Sequence, residues 1–300
     1  MSLMALGLVL LSALARAAIQ IVNKKVLSGV ASSRPVAVLN ALGAGLLLLS
    51  PSLGEAGLPV VEDWWSVPAG TIWLLLFIAL LNVPVLFCNF GSLKGSDVSL
   101  ITPLNALQPT VVLLVAMIIP GEFPGMRGYA GLAVIATGFF VFSAPPRELE
   151  SGMGNYWLSV SALFGNRDVR IGLLGVALGG IAVPFHKLAA METSPIFAPA
   201  VMCLVSGAMG CFLTKREQWK MLGWREWLGC LVSSLLWFVV FASFWAALRD
   251  SPAVYASAIR QLYIVFAIPL AVIFLGEPVS REKWLGTLLM VLGMACIALG

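Results

Sequence analysis

Charge is what this chain has least of: 11% of its 300 residues are Asp, Glu, Lys or Arg, against about 25% in soluble proteins. With 60% of the residues hydrophobic, a soluble globular domain is excluded, because the interior of such a domain cannot hide that much apolar surface. The chain has one histidine, and no Asp or Glu falls deep in an apolar run. No His-rich metal cluster and no Ser-His-Asp set can therefore be assembled, and no enzyme activity is expected. A Gly-rich P-loop is missing too, which argues against ATP as the driving force. The five cysteines, Cys88, Cys203, Cys211, Cys230 and Cys296, are odd in number and form no C-x-x-C pair, so neither disulfides nor zinc are indicated. No cofactor is expected. The net charge of +4 is spread over short loops and makes no basic stripe for nucleic acid.

What is present is a succession of apolar runs. A hydrocarbon core about 30 Å thick needs about 20 apolar residues per helix, and this predicts spans at 3–22, 36–52, 69–92, 98–119, 127–144, 170–189, 195–213, 226–247, 253–275 and 283–300. The expected fold class is an all-α integral membrane protein with ten transmembrane helices. No basic segment or cleavage site precedes the first run, which is expected to be a retained helix. The longest polar connection, about Pro145 to Arg170, contains an apolar patch at Tyr156 to Phe164 that suits the membrane interface. It divides the chain into 1–145, a connection 146–169, and 170–300.

Sliding the chain on itself by 155 residues overlays Leu93 on Leu248, Lys94 on Arg249, Ser96 on Ser251, Gly121 on Gly276, Glu122 on Glu277, Gly131 on Gly286 and Gly138 on Gly293. Five spans per half is an odd number, so the halves enter the bilayer in opposite directions, an inverted repeat suited to alternating access. The segment "LRDSPAVYASAIRQLYIVFAIPLAVIFLGEPVSREKWLGTLLMVLGMACIALG" and its counterpart "LKGSDVSLITPLNALQPTVVLLVAMIIPGEFPGMRGYAGLAVIATGFFVF" resemble EamA-type members of the drug/metabolite transporter superfamily. That resemblance implies a 5+5 inverted repeat that carries small metabolites, commonly outward, through a central cavity lined by both halves. It also implies both chain ends in the cytoplasm. The loops give the opposite expectation: Lys and Arg gather on the face holding Lys24, Arg34, Lys94 and Lys215, while the other has Arg127, Lys187 and Arg249, which puts both ends outside.

Candidate binding residues are the polar groups stranded in apolar runs, since a charge at helix mid-depth costs roughly 2.5–3.5 kcal/mol unless it faces protein or water. Arg260, with Ser257 and Tyr263 on nearby faces, offers a guanidinium beside hydroxyls, a set that suits a carboxylate or phosphate. Ser12, Arg16, Gln20 and Asn23 form one polar stripe on the first helix. Counted from the span centres, Arg16 and Arg260 fall about 12 Å apart in depth, too far for one small anion. Asn105, at the repeat position of Arg260, and Gln108 continue Ser99 and Thr102 along the fourth span; Asn82 and Asn89 share a face of the third. These amides either line a cavity or tie helices together. Trp237, Phe241, Phe244 and Trp245 recur at helical spacing and fit core or lipid contact, with Trp237 open to an apolar substrate. Trp64, Trp65, Trp224, Trp227 and Trp284 fit an interfacial belt, and His186 beside Lys187 an interfacial structural role. Pro103, Pro109, Pro184, Pro199 and Pro269 bend spans, either statically or as hinges. Gly131, Gly138, Gly286 and Gly293 make close-packing faces, which leave a homodimer through these helices open. Glu122 and Glu277 read as capping groups.

A multi-pass cell-membrane protein, with a bacterial inner membrane expected, therefore carries a small anionic or zwitterionic metabolite by uniport or exchange. Its partners are the small-molecule substrate and the lipid bilayer. Two alternatives stay open: a lipid-linked sugar carrier of similar plan, and a non-transporting membrane assembly protein.

Overall fold

Long runs of Leu, Val, Ala and Ile whose backbone groups have no water to bond must bond to themselves, and in a single chain segment that means helix. The computed structural model describes residues 3–50, 68–119, 121, 123, 125–143, 164–220 and 222–298. They form α1 (Leu3–Ser28), α2 (Arg34–Leu49), α3 (Ala69–Gly95), α4 (Val98–Ile101), a 3-10 segment (Thr102–Leu107), α5 (Gln108–Ile118) and α6 (Met126–Ser143). After the connection come α7 (Arg167–Glu192), α8 (Phe197–Leu213), α9 (Arg216–Trp219), α10 (Trp224–Arg249), α11 (Ala253–Arg260), α12 (Tyr263–Leu275) and α13 (Arg281–Ala298). No strand occurs among the described residues.

Among the described residues, six stretches are long and apolar enough to cross a membrane: α1, α3, Val98–Ile118, α7, α10 and Ala253–Leu275. The helices α2 and α8 are shorter and apolar. The outward faces of α1, α3, α5, α10 and α13 carry exposed Leu10, Trp73, Leu80, Leu114, Leu231, Leu288 and many like them. Apolar surface on this scale needs lipid as its solvent. Trp224, Trp227 and Trp284 lie exposed near helix starts, as an interfacial belt requires. Trp64, Trp65, Glu122 and the patch at Tyr156 to Phe164 fall outside the described residues, apart from Phe164 itself.

Packing follows a paired scheme. α1 lies along α10 and α7 along α3, while α2 packs on α8 and α6 on α13. Glycine makes the last of these contacts close. A Cβ on Gly286 would stand 2.4 Å from the Phe142 backbone nitrogen, and one on Gly293 would stand 2.6 Å from the Gly131 carbonyl oxygen. The glycines of α6 and α13 thus pack within the chain.

Two differences from the sequence expectation position the site. α1 runs to Ser28 instead of stopping near residue 22, because its polar end finds partners: Lys24 Nζ donates to the carbonyls of Leu93 (3.0 Å) and Ser96 (2.7 Å) at the end of α3. The fourth and ninth spans are also not continuous α-helices. Pro109 has no N–H to return to the Asn105 carbonyl; that oxygen accepts from the Gln108 N–H instead, tightening Thr102–Leu107 into a 3-10 turn. In the second half the break falls at Gln261 and Leu262, where Leu262 N–H bonds to Ile259 O at 3.0 Å. With the 155-residue offset, both breaks occupy the same repeat position. Their short i→i+3 bonds keep the backbone satisfied.

Candidate functional site

α1 supplies the first wall. Its polar stripe turns inward, with Ser12 Oγ donating to Val240 O at 3.2 Å and Asn23 Oδ1 accepting from Ser233 Oγ at 2.7 Å. Between them Arg16, 8% exposed, reaches the two broken helices. Its Nη2 donates to Asn105 Oδ1 at 3.3 Å and its Nη1 to Gln261 Oε1 at 3.5 Å. The guanidinium carbon stands 4.4 Å from the centroid of the Tyr263 ring. Gln261 in turn donates through Nε2 to Gln108 Oε1. A chain of neutral amides thus joins the two breaks and holds one charged group between them.

Arg260 ends α11. It too is 8% exposed, and its guanidinium carbon lies 3.8 Å from the centroid of the Phe244 ring, a contact worth about 2 kcal/mol when desolvated. Among the described residues neither arginine forms an ion pair with a carboxylate. Both border one cavity, together with Asn82, Asn89, Gln108 and His186. The two guanidinia repel each other there. A second, smaller space adjoins it, bordered by Arg16, Gln20, Asn23, Thr102 and Asn105. Arg16, Asn89, Phe90 and Trp237 belong to both walls and form the partition between them.

The aromatic stripe of α10 divides its work. Trp237 and Phe241, stacked at 5.1 Å, face the large cavity. Phe244 and Trp245 are buried behind them, where Phe244 underlies Arg260 and Trp245 stacks on His186 at 4.8 Å. Gly179 of α7 brings a backbone to the same wall, so that a Cβ there would stand 3.1 Å from Gln108 Nε2.

A sequence model of the EamA-like transporter family matches residues 3–144 and again residues 169–299. The chain belongs to the EamA-like transporter family. It is thus a multi-pass membrane transporter of the drug/metabolite type. A crystal structure described only as that of a protein superposes with a TM-score of 0.66 over 96% of each chain at 16% identity, a likeness of fold alone. No curated protein matches the sequence.

Within this EamA-like transporter, the expected residues distribute as follows. Arg16, Arg260, Gln108 and Trp237 border the large cavity, and Arg16, Gln20, Asn105 and Trp237 the smaller one. Ser257 and Tyr263 are fully buried and border neither; Tyr263 serves as the platform under Arg16. Arg16 and Arg260 border the same cavity, and the break after Arg260 brings Gln261, its sequence neighbour, onto Arg16. His186 borders the large cavity and stacks on Trp245, on a helix that extends to Glu192, three residues past the predicted end. Asn82 both borders the cavity and donates to Ser206 Oγ at 3.0 Å. Gln261 and Asn40 went unnoticed in the sequence. The only signal for either was a polar side chain in an apolar run.

Proposed function

We propose that this transporter moves a small metabolite with an anionic or zwitterionic group by alternating access. Two five-helix halves, 1–145 and 170–300, enter the bilayer in opposite senses. What supports that arrangement is the exchange symmetry of the packing: α1 on α10 mirrors α7 on α3. The observation that carries the substrate class is the pair of buried guanidinia, unpaired by any described carboxylate, that border one chamber. Burying an arginine without a counter-charge costs several kcal/mol, and a cargo carboxylate or phosphate returns that energy while it is bound. A guanidinium stays charged at any working pH, so the attraction persists in every step of the cycle. Cations would meet the same two charges as repulsion.

Uptake of radiolabelled carboxylate and phosphate metabolites into proteoliposomes tests this, with Arg260→Ala in parallel. Loss of a charge-assisted hydrogen bond is worth about 1.5–3 kcal/mol, so the variant is expected to transport at least about ten-fold more slowly. Equal rates for both proteins would remove Arg260 from the cargo site.

A further inference from the structure

His186 is the only histidine of the chain, and its surroundings are unlike those of a structural residue. The ring borders the large cavity and stacks on Trp245. Both ring nitrogens are buried, and neither has a hydrogen-bond partner. An imidazole offers a donor and an acceptor even when neutral, and leaving both unmet is costly. In a wall that opens on a chamber, the missing partner is one that the chamber's contents can supply.

Among the described residues, the following groups share this chamber or touch the ring. Arg260 comes from α11 and Arg16 from α1 across the chamber, while α8 presents the Cys203 thiol and α10 the Trp245 ring. α3 and α5 contribute the neutral amides of Asn82, Asn89 and Gln108. No carboxylate is among the described cavity residues, so a proton taken up there has one acceptor suited to it. Arg260 borders the same chamber as His186. Added positive charge is opposed while the chamber is empty. An anion docked on Arg260 reverses that opposition, because an opposite charge at contact distance outweighs a like charge farther off.

We propose that His186 is the proton site of an anion–proton symport. This rests on the anion reading above. One proton from water joins a free ring nitrogen as the anion docks, no covalent bond forms to the cargo, and both leave together on the other side. For a monoanion the added charges cancel, so the loaded carrier crosses with the same net charge as the empty one. The coupling is reciprocal, with the anion tightening the proton and the proton tightening the anion by the same factor.

A single histidine gives a single imidazole signal, so the titration needs no assignment. The whole protein in lipid nanodiscs, carbon- and nitrogen-labelled at histidine, is titrated with pH by NMR. Titrations are run without anion and with saturating sodium acetate or sodium methanesulfonate, a sulfonate that stays ionised throughout. Calorimetry on the same samples records whether each anion binds. Binding with an upward shift of the imidazole titration by about one unit or more, a ten-fold gain in proton affinity, supports the symport. Binding with an unmoved imidazole overturns it and leaves the anion site standing. Absence of binding by both anions overturns both readings. In Arg260→Gln the anion-dependent shift is expected to vanish; a shift that persists there refutes the link between the two side chains.

Discussion

Arg16 Nη2 lies 3.3 Å from Asn105 Oδ1, and Asn105 stands at the repeat position of Arg260. Each half therefore brings a broken helix to the centre, one with the Arg260 guanidinium at its break and the other with Asn105, the amide that steadies Arg16 of its own half. Asn105→Asp would place a carboxylate on Arg16 and supply from within the counter-charge that cargo is meant to bring. The expected result is a KM raised about ten-fold or more, with Asn105→Ala milder. Transport kinetics in proteoliposomes check both.

Arg260→Lys keeps the charge and loses the planar fork that lies on Phe244 at 3.8 Å. Arg and Lys are not equivalent at a stacked site, so partial activity is expected, between wild type and Arg260→Ala. Phe244→Leu removes only the ring and should cost about 1–2 kcal/mol of anion affinity. Calorimetric anion titrations would measure the order.

Glu277, 7% exposed, accepts hydrogen bonds from the backbone N–H groups of Val98 at 2.8 Å and Ser99 at 2.7 Å. It caps the start of the opposite half's broken helix from 178 residues away. Glu277→Ala strands two buried donors and should lower stability by about 2 kcal/mol or more, with Glu277→Gln losing roughly half as much. Thermal unfolding in detergent distinguishes them.

Gly286→Ala drives a methyl group to 2.4 Å from the Phe142 nitrogen, so α6 and α13 must part. Overpacking of this kind costs about 1–3 kcal/mol, and the melting temperature should fall by several degrees. Gly7→Ala is the control, because nothing lies within 4 Å of a Cβ there. Its melting temperature should stay or rise slightly, since alanine is the better helix former.

The helical membrane class was legible because apolar run length is set by bilayer thickness, and the repeat because Gly, Glu and Leu positions survive an offset of 155. Arg16, Arg260, Asn105 and Gln108 announced themselves as polar groups in apolar runs. Ser257 and Tyr263 did too, yet they are buried behind the site, because the break after Arg260 changes which face looks inward. That break has no proline beside it, unlike the one at Pro103 and Pro109, so no residue type announced it, and Gln261 was hidden with it. His186 gave no sign in the sequence of bordering a cavity: beside Lys187, near the end of an apolar run, it looked like a helix-end residue, and only the packing of α7 on α10 shows its ring stacked on Trp245. The stripe of α10 carries both roles at once, two rings facing the cavity and two behind it, a division no periodicity distinguishes.

The most direct test of the central claim is an experimental structure determined with the best-transported carboxylate or phosphate metabolite bound. The account predicts density for its acidic group in the large chamber, within hydrogen-bond distance of Arg260 and facing Arg16, with the body of the molecule against Trp237 and Phe241. Density for the cargo elsewhere, with both guanidinia still held by Asn105, Gln261, Phe244 and Tyr263 alone, would contradict it.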